Sequence, residues 1–256
     1  MSLPADLAGR GVLVTRPAGQ AEPLCRLIES AGGRAIRFPT IAIEPTNDPD
    51  ATALLAESWH LLYFVSPNAV EQALALVADG TWPHVERVAA VGRGTARALE
   101  AAGRAPDLVP NDRYESEALL EMPELADMRG QRVLIVRGEG GRGLFAQAMT
   151  ERGAEVRFAE VYRRVRPAVD VAPLLARWRE EVDFVMATSD EVLLNLAELL
   201  GQDGRARLLA TPLVVIAERT AQTARDLGFQ TVRVAERAED AAILGSLIGL
   251  SPSTRG

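Results

Sequence analysis

The 256-residue sequence contains no lysine, so all 28 of its basic residues are arginine. Schiff-base catalysis, pyridoxal-phosphate attachment and the Walker A phosphate loop each need a lysine and are excluded. Two histidines (His60 and His84) and one cysteine (Cys25) are too few for a Cys/His zinc site or a CxxC redox pair. A Ser-His-Asp triad is barely possible, and no pattern in the sequence supports one. We therefore expect no metal site.

The charge and hydropathy patterns exclude further classes of protein. A net charge of −7 argues against a nucleic-acid binder, whose contact surface should be basic. No apolar run approaches the roughly 20 residues that span a bilayer. The first ten residues lack the basic and apolar regions of a secretory signal, and a single cysteine is typical of a reducing compartment. We expect a cytoplasmic protein without membrane contact.

The chain contains two copies of one unit. The segment GVLVTR that begins at Gly11 is matched by RVLIVR from Arg132, and the offset of 121 positions between Arg16 and Arg137 recurs between two later glycines. Two further pairs of segments follow in the same order, 63–70 with 184–192 and 91–96 with 216–221. Matches in the same order with a slowly changing offset indicate an internal duplication.

Each copy alternates short, continuous apolar runs with segments of helical period. The runs are typical of buried parallel strands and cover 12–14, 61–65, 88–91, 133–136, 184–186 and 213–216. Helices are predicted over 21–31, 69–78, 95–102, 143–152, 191–200 and 220–227. This alternation predicts an α/β protein with two doubly wound parallel sheets.

Two extended segments that end in proline, 39–45 and 161–167, lie at equivalent points of the copies. Their alternating polarity predicts exposed strands that link two domains. One domain would then comprise 1–38 and 168–256, and the other 42–162. Two contiguous halves divided near Gly130 are the alternative, and the sequence does not decide between them.

Ligands bind doubly wound sheets outside the carboxyl ends of the strands, where helix N-termini present free N–H groups. The loops at those points are rich in glycine, hydroxyl groups and arginine, a mixture that binds anions. The candidate residues are Arg16, Ser66, Asn68, Gly92, Thr95, Arg137, Gly138, Thr188, Ser189 and Thr220. Helix capping is the purely structural explanation for each of the hydroxyl residues.

One loop offers a different function. Gly138, Gly140 and Gly143 form a GxGxxG pattern between a strand and a helix, and Glu160 follows near the end of the next strand. This arrangement is typical of dinucleotide binding in an oxidoreductase. The equivalent loop of the other copy has Pro17 in place of Gly138, which weakens this interpretation.

The sequence resembles the uroporphyrinogen-III synthase family over about residues 9–249. The stretches that carry the resemblance are VLVTRP at 12–17, FVSPNAV at 64–70, AVGRGTA at 90–96, LIVRGEGGR at 134–142 and EVYR at 160–163. The order and spacing of these stretches together are specific. The segment TSDE at 188–191 departs from the family, which often has serine followed by proline or glycine there. Which of Thr188 and Ser189 faces the ligand therefore stays open.

The resemblance implies two flavodoxin-like domains joined by a two-stranded linker, and a lyase of haem biosynthesis that needs no cofactor. Its substrate would be hydroxymethylbilane, a linear tetrapyrrole with eight carboxylates, received in a transient handover from porphobilinogen deaminase. The product would be uroporphyrinogen III, formed with loss of water and inversion of ring D through a spiro intermediate. Taken alone, Tyr162 is more typical of a half-buried residue at a domain junction. The resemblance implies instead that it is functional, as a hydrogen-bond donor to the departing hydroxyl group. The hydroxyl residues Thr95, Ser66, Thr188, Ser189 and Thr220 carry over as carboxylate contacts, and we expect Arg16 and Arg137 to supply electrostatic attraction.

Two other classes of function stay open at this point. One is the nucleotide-dependent oxidoreductase, and the other is a non-catalytic two-domain module that binds an anion. We expect a monomer, because no surplus apolar stripe is evident in the sequence.

Overall fold

The computed structural model describes residues 6–77, 82–110, 116–141 and 143–250. The chain divides into two compact units, which we call unit 1 (Met1–Ala42 with Val165–Gly256) and unit 2 (Ile43–Arg164). Within the described residues, no helix combines the length and apolar character that crossing a membrane requires.

Strands and helices alternate along most of the chain. In order they are β1 (Gly11–Val14), α1 (Ala18–Ser30), β2 (Arg34–Arg37), β3 (Ala42–Pro45), α2 (Pro49–Leu55), β4 (Trp59–Phe64), α3 (Pro67–Leu76), β5 (Val85–Ala90), α4 (Arg93–Ala101), α5 (Ser116–Leu120), a 3-10 helix (Pro123–Leu125), β6 (Arg132–Gly138), α6 (Leu144–Glu151), β7 (Glu155–Val165), α7 (Ala172–Glu181), β8 (Phe184–Ala187), α8 (Asp190–Ala210), β9 (Leu213–Val215), α9 (Glu218–Leu227), β10 (Val232–Val234) and α10 (Asp240–Ile248). Helix α8 is two helical segments that meet at Gly201, whose φ is +56°.

Unit 1 contains a five-stranded sheet of order β10-β9-β8-β1-β2 in which every neighbouring pair is parallel. Its central strands β1 and β8 are buried along their whole length, as expected of strands covered by helices on both faces. One face packs on α1 and α10 through a cluster that includes Leu24, Ile28 and Ile243.

Unit 2 contains a second sheet, of order β3-β7-β6-β4-β5. The pairs β7–β6, β6–β4 and β4–β5 are parallel, and Leu108 extends the sheet beyond β5 through a parallel bridge to Ala89. One face packs on α2, α3 and α4 around Phe64 and Leu99, while the other packs on α5 and α6 around Leu119 and Phe145.

Polar side chains fix the starts of several helices. Ser66 and Ser189 each accept a hydrogen bond from a backbone N–H in the first turn of the helix that follows, at 3.1 and 3.3 Å, and Asp48 does the same for α2 at 2.9 Å. Pro67 then occupies the first helical position of α3, where its missing N–H leaves no partner unsatisfied. These caps set where α2, α3 and α8 begin.

The predicted α/β class with parallel sheets is confirmed, and a strand or helix lies at each predicted position. The expected exposure of 161–167 is wrong at its start, because Val161 and Tyr162 are buried against the α2/α3/α4 face of the unit 2 sheet. Cys25 is buried in α1, and burial raises the pKa of its thiol, so this residue is part of the core.

We predict that Gly11 is intolerant of any side chain, because a Cβ there would overlap the backbone carbonyl oxygen of Glu181. Gly11→Ala should lower the free energy of unfolding by about 3 kcal/mol through overpacking. Gly19→Ala is the matched control, since Gly19 lies in α1 with no atom near the added methyl, and it should stabilise by about 0.5–1 kcal/mol. Denaturant unfolding followed by circular dichroism measures both, and equal stability of the two variants would contradict the close approach.

Candidate functional site

A cavity of about 400 Å³ opens at the carboxyl edge of the unit 2 sheet. It lies at the ends of the neighbouring strands β4 and β6. The chain continues from β4 to β5 on one side of this pair and from β6 to β7 on the other. Such a reversal of strand order is where doubly wound sheets bind ligands. The residues that line the cavity are Tyr63, Val65, Val91, Ile135, Arg137, Gly138, Glu139, Gly140, Gly141, Phe145, Ala146, Phe158, Tyr162 and Arg164.

Aromatic rings form part of the cavity wall. The rings of Tyr63 and Phe145 contact each other with their centroids 4.1 Å apart and their planes tilted by 33°. Phe158 is unusual among large apolar residues because it is 40% exposed, and the guanidinium of Arg137 lies 4.9 Å above the centre of its ring. The wall therefore combines flat apolar surfaces with a cation.

Arg137 is held at the cavity by contacts to one of its nitrogens. Its Nε donates to the carbonyl oxygen of Gly138 at 3.2 Å and lies 3.4 Å from a carboxylate oxygen of Glu160. Its side chain is only 11% exposed. Neither terminal nitrogen has a hydrogen-bond partner within the described part of the chain, which leaves the two groups that bind a carboxylate in parallel.

The loop after β6 adds backbone donors beside this arginine. Gly140 and Gly141 both have positive φ, +71° and +107°, a conformation that glycine adopts without strain. Glu139 donates its N–H to the carbonyl oxygen of Tyr162 at 2.8 Å, while the N–H groups of Gly140 and Gly141 have no acceptor among the described residues. Consecutive free N–H groups of this kind attract anions.

Tyr162 is buried, at 2% exposure, and its ring lies against Gly138. A Cβ at position 138 would come within 2.6 Å of the tyrosine ring, so the ring occupies space that any other residue would need. The β6–β7 register shifts at this point, from Arg137 opposite Glu160 to Gly138 opposite Tyr162. Glycine at 138 is therefore explained by the packing of Tyr162.

The hydroxyl group of Tyr162 lies 3.1 Å from the hydroxyl of Ser66, the residue that caps α3. The neighbouring loop approaches from α4, since a Cβ at Gly94 would be 3.7 Å from Pro67. Gly92, which is buried, caps α4, and Thr95 in the first turn of that helix is 2% exposed and has no hydrogen-bond partner for its hydroxyl within the described residues. Asn68, half-buried in the first turn of α3, likewise lacks a side-chain partner there.

The candidates in unit 1 lie at the carboxyl edge of its own sheet, where acidic residues already hold two of them. Arg16 pairs with Asp240 at 2.6 Å, and the Thr220 hydroxyl donates to Asp190 at 2.6 Å. Ser189 caps α8, and Thr188 is half-buried beside it. The ten candidates and Tyr162 thus divide between the units, with Ser66, Asn68, Gly92, Thr95, Arg137, Gly138 and Tyr162 in unit 2.

The geometry accounts for the GxGxxG pattern without a dinucleotide. Gly138 accommodates a tyrosine ring, and Glu160, the acid expected to bind a ribose, is paired with Arg137 instead. Among the described residues, no three histidine, cysteine or acidic side chains are grouped closely enough to hold a metal ion.

Sequence reasoning missed the aromatic part of the wall. Tyr63 and Phe145 belong to predicted elements whose apolar residues are indistinguishable from ordinary core. Phe158 offered a signal, because it matches Phe38 in the other copy and precedes the linker, yet Phe38 is nearly buried. The pairing of Glu160 with Arg137 also went unpredicted.

A family model described as "Uroporphyrinogen-III synthase HemD" matches residues 22–245, most of the chain. The chain belongs to the uroporphyrinogen-III synthase family. A uroporphyrinogen-III synthase from Escherichia coli (strain K12) is 40% identical over 244 residues, which cover 92% of this chain and 99% of that relative. The activity of the family is a cyclising lyase reaction of tetrapyrrole biosynthesis.

Solved structures of uroporphyrinogen-III synthases share the fold. One from Helicobacter pylori 26695 has a TM-score of 0.59 at 15% identity and covers 94% of this chain and all of that one (100%). A mutant enzyme from the extremely thermophilic bacterium Thermus thermophilus has a TM-score of 0.53 at 23% identity, with 93% of this chain and 97% of that one covered.

We predict that Gly138→Ala displaces the ring of Tyr162 and lowers the free energy of unfolding by about 1–3 kcal/mol. Gly143→Ala is the control from the same glycine pattern, because among the described residues, its chain neighbours aside, no atom lies within 4 Å of a methyl group there. Denaturant unfolding measures the stability, and near-ultraviolet circular dichroism reports the packing of the tyrosine. If Gly138→Ala has the stability and the near-ultraviolet spectrum of the wild type, the packing of the tyrosine ring does not require glycine at position 138.

Proposed function

We propose that this protein converts hydroxymethylbilane into uroporphyrinogen III at the carboxyl edge of the unit 2 sheet. The observation that carries the proposal is the buried Tyr162, whose ring lines a cavity beside the guanidinium of Arg137 and the N–H groups of Gly140 and Gly141, which have no acceptor among the described residues. A linear tetrapyrrole with many carboxylates needs both parts of this site, donors for its side chains and a proton donor for its hydroxyl group.

Carboxylates of the substrate bind the terminal nitrogens of Arg137 and the N–H groups of Gly140 and Gly141. Glu160 and Phe158 hold the guanidinium from its Nε edge and from one face, so the arginine loses little freedom when the carboxylate arrives. Thr95 supplies a further donor, since its buried hydroxyl has no partner among the described residues. The rings of Tyr63, Phe145 and Phe158 provide apolar surfaces against which pyrrole rings pack.

Tyr162 acts on the hydroxyl group that leaves. The carbon–oxygen bond of the hydroxymethyl group breaks and its electron pair departs with the oxygen, which takes the phenolic proton and becomes water. The lone pair of the pyrrole nitrogen delocalises towards the methylene carbon that lost the oxygen, and this gives the azafulvene cation. The pyrrole N–H then returns a proton to the tyrosine, which restores the phenol and leaves a neutral azafulvene.

The protein controls the subsequent ring closure by orientation. The pyrrole itself stabilises the cation, so the enzyme needs little further acid–base machinery. Binding energy that holds the chain folded for attack at the substituted carbon of ring D favours the spiro intermediate, and orientation of this kind can contribute several kcal/mol. Fragmentation and reclosure of that intermediate invert ring D.

The candidates of unit 1 contact the remaining carboxylates in this proposal. Thr188 and Ser189 keep hydroxyl groups at the carboxyl edge of their sheet. Arg16 and Thr220 contribute only by exchanging Asp240 and Asp190 for carboxylates of the substrate. These two contacts are therefore worth less net energy than those of Arg137.

We also infer that the units are two flavodoxin-like domains produced by duplication. Taken in chain order, the strands of unit 1 have the spatial order 2-1-3-4-5 of flavodoxin-like sheets. Unit 2 has the same order if β6 and β7 count as its first and second strands, β4 and β5 as its third and fourth, and Leu108 as its fifth. The domains are 1–38 with 168–256 and 42–162, and the hydrogen-bonded neighbours β3 and β7 carry the linker segments 39–45 and 161–167.

The protein acts as a cytoplasmic monomer that receives its labile substrate directly from porphobilinogen deaminase. Its exposed large apolar side chains within the described residues are Leu27, Leu144, Phe158, Val169 and Leu194. No two of them share a helix or strand, which favours a monomer. The one cysteine, buried and without a disulfide partner, suits a reducing compartment.

Isomer analysis tests the reaction. Porphobilinogen and porphobilinogen deaminase generate hydroxymethylbilane, which without a synthase closes spontaneously to the I isomer. Addition of this protein should shift the oxidised uroporphyrins, separated by chromatography, to predominantly III. In the same assay Tyr162→Phe should lower turnover about 100-fold, as expected for loss of a general acid. Only the I isomer in the presence of folded wild-type protein would refute the reaction, and full turnover by Tyr162→Phe would refute the role of the tyrosine.

We predict that Arg137→Gln raises KM about tenfold, because it removes a charge-assisted contact to a carboxylate of the substrate. Arg163→Gln is the matched control, since Arg163 lies on the same strand region as Tyr162 but pairs with Glu44 at 3.1 Å and does not line the cavity. Steady-state kinetics at constant ionic strength compare the two variants. An equal rise of KM in both would mean that general charge, and not the position of Arg137, governs affinity.

A further inference from the structure

The contact between Ser66 and Tyr162 joins the start of α3 to the cavity. Ser66 Oγ accepts a hydrogen bond from the backbone N–H of Ala69 at 3.1 Å and lies 3.1 Å from the Tyr162 hydroxyl oxygen. Both residues belong to unit 2 and are separated by 96 positions in the sequence. Either hydroxyl could in principle donate to the other, so the direction of this hydrogen bond decides where the tyrosine proton points.

The capping bond favours donation by Ser66. Its oxygen already accepts from Ala69, and within the described residues the Tyr162 oxygen is the one acceptor within reach of the serine O–H. If the tyrosine donated instead, the serine oxygen would accept twice and its own proton would have no protein acceptor. With donation by Ser66 each hydroxyl oxygen accepts one hydrogen bond or fewer, and the proton left without a protein acceptor is the phenolic one, which then points away from the serine.

We propose that Ser66 is a positioning residue: its O–H donates to the Tyr162 oxygen and thereby directs the phenolic proton to the substrate. The same hydrogen bond stabilises the negative charge that develops on the tyrosine oxygen as that proton moves to the leaving hydroxyl. The N-terminus of α3, to which the serine is bonded, favours negative charge in the same sense. This inference rests on the proposed role of Tyr162.

Capping alone is the competing explanation, and the chain supplies a matched control for it. Asp48 caps α2 within the same unit by accepting a hydrogen bond from the backbone N–H of Asp50 at 2.9 Å, and it lies outside the cavity lining. Asp48→Ala therefore removes a cap without touching Tyr162. Ser66→Gly complements it, because glycine is a good N-cap that lacks the hydroxyl, so the start of α3 is preserved.

The experiment compares kcat and KM for formation of the III isomer. Ser66→Ala and Ser66→Gly should both lower kcat about tenfold with KM changed less than twofold, the size expected for one hydrogen bond in the transition state. Ser66→Thr, which keeps a donor and a cap, should restore kcat to within about threefold of wild type. Asp48→Ala should leave kcat and KM unchanged.

Measuring Ser66→Ala in combination with Tyr162→Phe distinguishes a failure of the inference about Ser66 from a failure of the proposed role of Tyr162. In the Tyr162→Phe background, Ser66→Ala should cause no further loss of kcat, because no phenolic proton remains to be directed. A loss that persists in this background, or that falls wholly on KM, would make Ser66 a direct substrate contact and overturn the inference. Wild-type kcat in Ser66→Gly would overturn it as well while leaving the proposed function intact. Wild-type kcat in Tyr162→Phe alone would instead overturn the proposed role of the tyrosine.

Discussion

The ring of Tyr162 occupies the space in which the side chain of residue 138 would otherwise lie, and the site in unit 2 depends on this contact. It requires glycine at the end of β6, and it coincides with the shift of register between β6 and β7. The loop that begins there donates the N–H of Glu139 to the tyrosine carbonyl, so the glycine loop and the tyrosine are fixed to one another. Arg137, the preceding residue, is held by the same strand pair through Glu160.

The two carboxyl edges differ in how their polar groups are satisfied. In unit 1, Asp240 neutralises the charge of Arg16, and Asp190 accepts a hydrogen bond from the Thr220 hydroxyl. In unit 2, Arg137 contacts its acid only through Nε, and neighbouring N–H groups have no acceptor among the described residues. A net charge of −7 does not by itself exclude a polyanionic substrate, because the groups at the binding edge and not the total charge decide such a contact.

Much of the fold follows from the sequence, because continuous apolar runs and helical periods are local signals. The buried strands β1, β4, β6 and β8 each lie within or next to a predicted run. The burial of Tyr162 was not predictable in this way, since alternating polarity along 161–167 is typical of an exposed strand. Tyr162 is buried by residues of α3 and β6, which are distant in the sequence and come together only when the sheet forms.

The features of the site differ in the same way in whether local sequence signals reveal them. Strand-end loops rich in glycine and hydroxyl groups pointed to Ser66, Arg137, Gly138 and Thr95, because the position of a loop after a strand is visible in the sequence. Ion pairs between distant positions were not visible: Asp240 lies 224 positions from Arg16, and no local pattern links them. The sequence likewise does not reveal why residue 138 is glycine, because close approach of a phosphate and close packing of a tyrosine ring both require a residue without a side chain.

A crystal structure of the protein with bound uroporphyrinogen III would show whether the reaction takes place at the carboxyl edge of the unit 2 sheet. We expect a carboxylate of the product on the terminal nitrogens of Arg137 and on the N–H groups of Gly140 and Gly141. We also expect the bridging carbon next to ring D, which carried the hydroxyl group that left, to lie beside the Tyr162 hydroxyl. A product bound away from the carboxyl edge of the unit 2 sheet, with the Tyr162 hydroxyl facing only protein, would contradict both expectations.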